Sequence, residues 1–491
     1  MTEESEFYLR DQLDRILKPF QTLVVVGGNW GDEGKGKIID LMMSHYEIAA
    51  RFSGGANAGH TVYTSNGTKI VSHLIPCGLA QNKECVMGRG EFVDLRLFIE
   101  ELETAGKILG GQLPKVWIDE QAPLWTPWHT LLETWLENLH GQKRINTTGK
   151  GIGPLAGLYK LRISPVVGHI LLGRKKLASI MQLLYSALLP IFEQMKKQGL
   201  AVGEIPTPEE VADQFLEYLG RVEDKIIDTS FLLNQAHGQG RRILFEGAQA
   251  LGLDSHWGTY PYVSSGDSAA AGAAIGTGLP MDVFTATVMV AKILPTRVGF
   301  GPMPSEMWER EKAEQFAKEY PHLFMAGSKK EEFLKNHLEK INAGKATSAE
   351  LSQYFQVLGN ERGATTGRGR SVGFLDIPWL LYAIRINHPK YIALTRFDML
   401  SGITEIPVVT EYKFKNQILL PGKIPPSWEL DKVEVVKEIW PCWKENIAGR
   451  QREEDLPEAA RDFLRRLEGH LKVPILLVGT GPKRDAVVVR E

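Results

Sequence analysis

The chain has 491 residues, of which 57 are basic and 59 acidic, giving a formal charge of −2. Such a balance argues against a nucleic-acid or membrane-surface binder, although a local basic pocket remains compatible with it. No secretory leader or uninterrupted apolar stretch of about 18 residues follows the acidic N-terminus. With Cys77, Cys85 and Cys442 in no C-x-x-C pair, this predicts a cytoplasmic protein with reduced thiols and no membrane span.

Residues 7–19 carry Leu9, Leu13, Ile16 and Leu17 at helical spacing, which predicts a short amphipathic helix for packing or oligomer contact. The apolar run Leu23–Val26 then reads as a buried strand. It feeds Gly31-Asp32-Glu33-Gly34-Lys35-Gly36-Lys37 and a helix beginning near Ile38. Strand, glycine-rich loop and helix turn backbone N–H groups toward a phosphate. The spacing even fits G-x-x-x-x-G-K, but Ile38 stands where a hydroxyl would hold Mg²⁺. Asp32, inside the loop, is therefore the candidate to hold a cation or exchange a proton.

A second glycine-rich turn, Arg51–Thr61, contains Asn57 and His60, the latter suited to donate to phosphate oxygens or shuttle a proton. Val116–Ile118 reads as a strand, Leu131–Leu139 as a helix, and Thr147–Pro154 as a third phosphate-like cradle. Helical patterns over Leu177–Gln194 and Pro208–Leu219 precede the strand Ile243–Phe245, which ends on Glu246-Gly247-Ala248-Gln249. Gln249 suits a base or sugar edge. Phe284–Val290 is the next strand, and the charged segment 307–358 predicts a solvated helical insertion.

The loop Gly363–Arg370 offers hydroxyls and the pair Arg368 and Arg370, whose guanidinium forks bind carboxylate or phosphate. Tyr391–Leu394 reads as a strand, and Asp398 just beyond it can accept from guanine N1–H and its amino group. Pro457–Leu467 reads as a helix opening on proline. Ile475–Val478 precedes Gly479-Thr480-Gly481-Pro482, which would line a flat base. Alternating elements of this kind predict an α/β fold with a mostly parallel sheet, whose strand ends converge on one site. Zinc-type spacings, a G-x-S-x-G elbow and a first-turn G-x-G-x-x-G are absent. The residues describe a nucleotide-dependent enzyme acting on an anionic partner.

In order and spacing, Asn29–Asp40, Gly54–Thr61, Thr147–Pro154, Glu246–Val263, Gly363–Arg370 and Thr480–Pro482 resemble adenylosuccinate synthetases. Shorter stretches, His73–Pro76, Val298–Pro302 and Thr259–Val263, support the resemblance. It implies a catalytic domain over 21–491 after an N-terminal extension of 1–20. The implied reaction joins IMP to L-aspartate with GTP hydrolysis, in a homodimer. Asp32, His60 and Lys35 are then catalytic, with Asp32 taking the purine N1 proton. Mg²⁺ falls to Asp32 and the Gly59 carbonyl. GTP falls to Gly31, Glu33, Gly34, Gly36, Lys37, Gly59, Thr61, Arg370, Arg396, Phe397, Asp398, Gly479, Thr480, Gly481 and Pro482.

The same resemblance gives IMP to Asn57, Ala58, Thr148, Arg162, Gln249, Ser264 and Arg368, with Arg162 reaching the partner subunit's IMP. Aspartate falls to Ala364, Thr365, Thr366, Gly367, Arg368 and Arg370. This chain departs from the family pattern with Arg396 for a usual Lys, Ser264 for Thr, Leu155-Ala156-Gly157-Leu158-Tyr159 after Pro154, Gly266-Asp267 for Ser-Asn, and Gly369 for a frequent arginine or glutamine. Two alternatives exist: a related ligase coupling aspartate to dGMP with ATP, and a GTP-binding switch. Asp32 and Asp398 argue against the first. The Gly363–Arg370 loop has no purpose in the second.

Overall fold

Alternate residues of the first strand, β1 (Thr22–Gly27), face two different cores. Leu23 and Val25 enter one apolar cluster, Val24 and Val26 the other, as the two-residue repeat of a strand requires. A strand apolar on both faces belongs in the middle of a covered parallel sheet. The computed structural model describes residues 3–63, 67–141, 145–200, 203–297, 299–362 and 368–490. The motif residues Ala364, Thr365, Thr366 and Gly367 lie outside them.

Around β1 run β2 (Ile48–Arg51), β3 (Glu84–Met87), β4 (Val116–Asp119), β5 (Ile226–Ile227), β6 (Ile243–Glu246), β7 (Ala286–Lys292), β8 (Tyr391–Thr395), β9 (Ile475–Gly479) and β10 (Val487–Val489). They form one ten-stranded sheet in the order β10-β9-β8-β7-β1-β6-β2-β3-β4-β5. Only β10 runs antiparallel. The order reverses at β1, so the carboxyl ends of β1, β2, β6, β7, β8 and β9 open one crevice.

Helix α1 (Glu3–Leu17) buries Leu9, Leu13 and Leu17 in the core on the Leu23 side of the sheet. Helix α2 (Lys35–Met43) follows β1, and eight of its residues are buried. Strand β7 starts at Ala286 rather than Phe284 because Thr285 and Thr22 bond to each other through side chains and backbone. Phe284 instead sets its ring edge-on to Phe245 at 5.0 Å. Pro457 caps the helix Glu458–Leu471 from outside rather than opening its first turn. Strands β2 and β3, and a separate three-stranded sheet built on Glu405–Phe414, go beyond what the apolar runs predict.

The insertion also differs from expectation. Its helices α3 (Arg310–Glu319), α4 (Ser328–Asn342) and α5 (Ser348–Gly359) enclose a small core of Phe316, Ala317, Leu323, Phe324 and Val357. The segment is a packed subunit of the fold rather than a solvated excursion.

Backbone contact is tightest beside β2. A Cβ on Gly276 would lie 2.0 Å from the Phe52 carbonyl oxygen, and one on Gly90 would lie 2.2 Å from it. Neither neighbour is a flexible side-chain tip. Gly276→Ala is therefore expected to lose about 3 kcal/mol of stability by overpacking, read as a lower urea midpoint. An unchanged midpoint would contradict this packing.

Candidate active site

The loop after β1 is held from within. Glu33, 1% exposed, turns its carboxylate back to accept from the N–H groups of Gly31 (2.8 Å) and Asn29 (3.2 Å). Its other oxygen accepts from Lys35 Nζ at 2.7 Å, a bond that braces the loop while the Lys35 charge still acts on Asp32 and His60. Trp379 stacks on Trp30 at 4.1 Å and donates Nε1–H to the Gly28 carbonyl at 2.9 Å. Gly31 and Gly34 adopt positive φ, as does Asp32 at φ 60, a conformation that Asp tolerates better than most residues. Gly36 leaves its space to the Thr61 carbonyl, 3.1 Å from where a Cβ would sit.

Lys37 occupies the P-loop lysine position but reaches sideways. Its Nζ donates to the carbonyls of Gly481 and Ala486, each at 2.7 Å, which ties α2 to the loop after β9. Burial drives its pKa down to about 8 against the pull of Asp398 and Asp485. Thr480 fixes that loop through its hydroxyl on the Arg450 carbonyl at 2.7 Å, with Pro482 exposed at its tip. Gly479 packs against Thr395 and Arg396. The Phe397 ring is fully buried against Trp443, at 4.5 Å, leaving only its backbone to the site.

Asp32 faces the crevice. It pairs with Arg370, and Lys292 Nζ lies 3.7 Å away. Burial alone would raise its pKa, but Lys292, Arg370, Arg396 and Lys35 together hold it below the usual carboxylate range. Lys292, at the end of β7, is itself buried and bonded to Glu361 (2.7 Å) and Thr296 (3.0 Å). Lys292 and Glu361 escaped the motif reading. A lysine ending the apolar run Val288–Ala291 was the available signal.

His60 lies at 2.5 Å from Glu246 through Nδ1, and Glu246 also accepts from the Cys77 N–H at 2.7 Å. Burial lowers the His60 pKa, with Glu246 opposing. Burial would raise Glu246, but His60, Arg51 and the Cys77 amide hold it below its ordinary value. Glu246 therefore fixes the imidazole's orientation, a role its sequence motif did not reveal. The Ala58 carbonyl accepts from His73 Nδ1 at 2.5 Å, and Gly59 beside it is exposed.

Asn57 donates to Ser264 at 3.3 Å, and Gln249 adopts φ 54 at the end of the loop after β6. Asp254 sets the following segment by accepting from four amides, those of His256, Trp257, Ser268 and Ala269. Several buried atoms around the crevice have no hydrogen-bond partner among the described residues: both amide atoms of Gln249, Asn57 Oδ1 and Asp398 Oδ1. Arg368 bonds Asn146, which joins the loop before β8 to the Thr148 cradle, where Thr148 itself is exposed. Arg162 stands apart, exposed at the end of the helix Ile152–Lys160.

Among the described residues one cluster has three metal-capable atoms in reach, His60, Cys77 and Glu246. That mixed N, S and O set is committed to hydrogen bonds and suits Mg²⁺ poorly. Asp32 and the Gly59 carbonyl are hard oxygen donors of the kind that would suit Mg²⁺.

The family model for adenylosuccinate synthetase matches residues 24–488. The chain belongs to the adenylosuccinate synthetase family. That family is one of ligases, and its reaction joins IMP and aspartate. An adenylosuccinate synthetase of Desulfatibacillum aliphaticivorans is 32% identical over 479 residues, covering 95% of this chain and 98% of the relative. One from Halothermothrix orenii is 34% identical over 476 residues, with the same coverage. The fully ligated adenylosuccinate synthetase of Plasmodium falciparum superposes with a TM-score of 0.77 at 31% identity, covering 96% of this chain and 99% of that one. A cyanophage S-2L succinoaminodeoxyadenylate synthetase, bound to dGMP and dATP, reaches 0.54 at 16% identity over 95% of each chain, a likeness of fold. Helix α1 lies outside the span matched to adenylosuccinate synthetase. No helix among the described residues is long and apolar enough to cross a membrane.

Proposed function

We propose that this chain joins IMP to L-aspartate with hydrolysis of GTP, giving adenylosuccinate, GDP and phosphate through a 6-phosphoryl-IMP intermediate. The observation that carries the reading is the set of unpartnered buried atoms on Gln249, Asn57 and Asp398. Each orphaned polar atom costs about 1–3 kcal/mol, so a ligand that satisfies them binds with that return. Asp398 accepts from guanine N1–H and its amino group, while Gln249, Asn57 and Ser264 hold IMP. Arg368 and Arg370 take the aspartate carboxylates.

Asp32 accepts the N1 proton of IMP, and the 6-oxygen attacks the γ-phosphorus as its bond to the β,γ-bridging oxygen breaks. The amine of aspartate then attacks C6, and phosphate leaves with the 6-oxygen. Phosphoryl transfer needs positioning and charge stabilisation above all. Lys292, Lys35, Arg370 and His60 supply cationic and donor groups around the transferring group. Mg²⁺, held by Asp32 and the Gly59 carbonyl, would neutralise phosphate charge when bound. Arg162, which has no ion pair among the described residues, would reach the partner's IMP in a cytoplasmic homodimer.

An ultraviolet assay tests the reading. Absorbance should change only when IMP, GTP, aspartate and Mg²⁺ are all present. Turnover with dGMP and ATP but none with IMP and GTP would overturn it. Asp398→Asn supplies a finer check, because an amide donates where guanine needs an acceptor. Loss of two charge-assisted bonds is worth about 3 kcal/mol, so KM for GTP should rise about 100-fold. Xanthosine triphosphate, with a carbonyl in place of the amino group, should become the better substrate.

A further inference from the structure

At the C-terminal end of α2, opposite the end that the phosphate loop opens, lies a cavity of about 490 Å³ that the proposed reaction does not use. Its floor is apolar, built from Leu9 and Leu13 of α1 and Leu41 of α2, all buried. Its rim is cationic: Arg10, Lys83 and Arg484. Among the described residues neither Arg10 nor Lys83 has a carboxylate partner, and their like charges act on each other, lowering the Lys83 pKa after the effect of burial. The nearby acids are engaged elsewhere. Asp14 bonds His45 at 2.6 Å, and Glu47, which also acts on Lys83, pairs with Arg241 at 3.4 Å. The exposed Arg10 and the half-buried Lys83 thus set two like charges beside an apolar floor, a setting that favours a shared anion.

We propose that this cavity binds a small phosphomonoester: the phosphate on Arg10, Lys83 and Arg484, the apolar part on Leu9, Leu13 and Leu41. The volume falls within the usual range for small-ligand sites, roughly 300–1,000 Å³. Because α1 lies outside residues 24–488, one wall of the site comes from sequence beyond the family match.

The site connects to the nucleotide through Arg484. Its guanidinium meets Asp40 of α2 at 3.4 Å and the Asp40 carbonyl at 3.3 Å. Arg484 sits in the same loop as Gly481 and Ala486, whose carbonyls hold Lys37. A bound phosphate competes with Asp40 for Arg484 and so draws on the loop proposed to face guanine. Occupancy therefore weakens GTP binding, a consequence that rests on the function proposed above.

The test uses the full chain and 1-naphthyl phosphate as the probe, by calorimetry with IMP and GDP present in excess. One probe per chain is expected, at least tenfold tighter than 1-naphthol or inorganic phosphate alone. The double variant Arg10→Glu/Lys83→Glu should bind at least tenfold more weakly, and Lys83→Met, which keeps the stem, should also weaken it. Melting temperatures of both variants check that they fold. Equal binding of probe and 1-naphthol, or undiminished binding by the folded variants, would overturn the site. In the kinetic arm the probe should raise KM for GTP at least threefold in the parent and leave the double variant unaffected. Calorimetry reads the site even where the assigned reaction fails, so the two failures are distinguishable.

Discussion

Asp32→Asn is expected to lower kcat by roughly a thousandfold, the scale set by loss of a positioned general base. The change is isosteric, and the side chain is 37% exposed, so little packing is lost. Lys292 and Arg370 keep Glu361 as a counter-ion, at 2.7 and 3.4 Å. The melting temperature should therefore stay within about 2 °C of the parent. A variant with parental kcat would remove Asp32 from the role of base.

The pH profile gives an independent reading of the same residue. The pKa of Asp32 is depressed in the free protein by Lys292, Arg370, Arg396 and Lys35, against the upward push of burial. Activity that needs the carboxylate ionised is lost as pH falls through that pKa. The kcat/KM profile reports the free enzyme and kcat the loaded one. With these cations holding the carboxylate ionised in the free protein, the acid limb of kcat/KM should lie below the ordinary carboxylate range. An acid limb of kcat/KM within or above that range would contradict the hold of these cations on Asp32.

Lys292→Met is expected to give the largest loss of stability. Lys292 and Glu361 are 2% and 1% exposed and 2.7 Å apart, so removing the ammonium leaves a buried carboxylate with only the more distant Arg370, at 3.4 Å, as counter-ion. Breaking such a pair costs about 3–5 kcal/mol, readable as a reduced urea midpoint. Arg370, freed from competition, should shift toward Glu361 and leave Asp32 without its partner, so turnover falls as well. The double variant Lys292→Met/Glu361→Gln removes the stranded charge and should recover most of the stability while remaining impaired in turnover. If the single variant unfolds at the parental midpoint, the pair carries no structural weight. If the double variant works normally, Lys292 serves structure alone.

Much of this architecture can be read along the chain, and for identifiable reasons. β1, β4, β6, β8 and β9 announce themselves as short apolar runs because both of their faces are covered. The glycine-rich turns after β1, β2, β6 and β9 stand out because close backbone approach needs residues without side chains. Strands β2 and β3 are harder to see: Ile48-Ala49-Ala50 and Cys85-Val86-Met87 are short and poor in β-branched residues. The insertion misleads through its charge, since Phe316, Phe324 and Val357 meet only after α3 and α5 fold together. Within the site, sequence marks residues by type but not by direction. Lys35 and Glu33 look like phosphate ligands and also pair with each other, which nothing in their motif announces, whereas Lys292 and Glu361, 69 positions apart, give no local sign of their pairing.

The two bonds from Lys37 to Gly481 and Ala486 give the site the character of a caliper. One jaw is the phosphate loop at the head of α2, the other the turn that follows β9, and the lysine fixes the gap between them. Under the proposed function, a nucleotide is measured by span as well as by the chemistry of its ends. An analogue with the correct base and a complete triphosphate, but a lengthened linkage between them, presents both ends correctly and still does not fit.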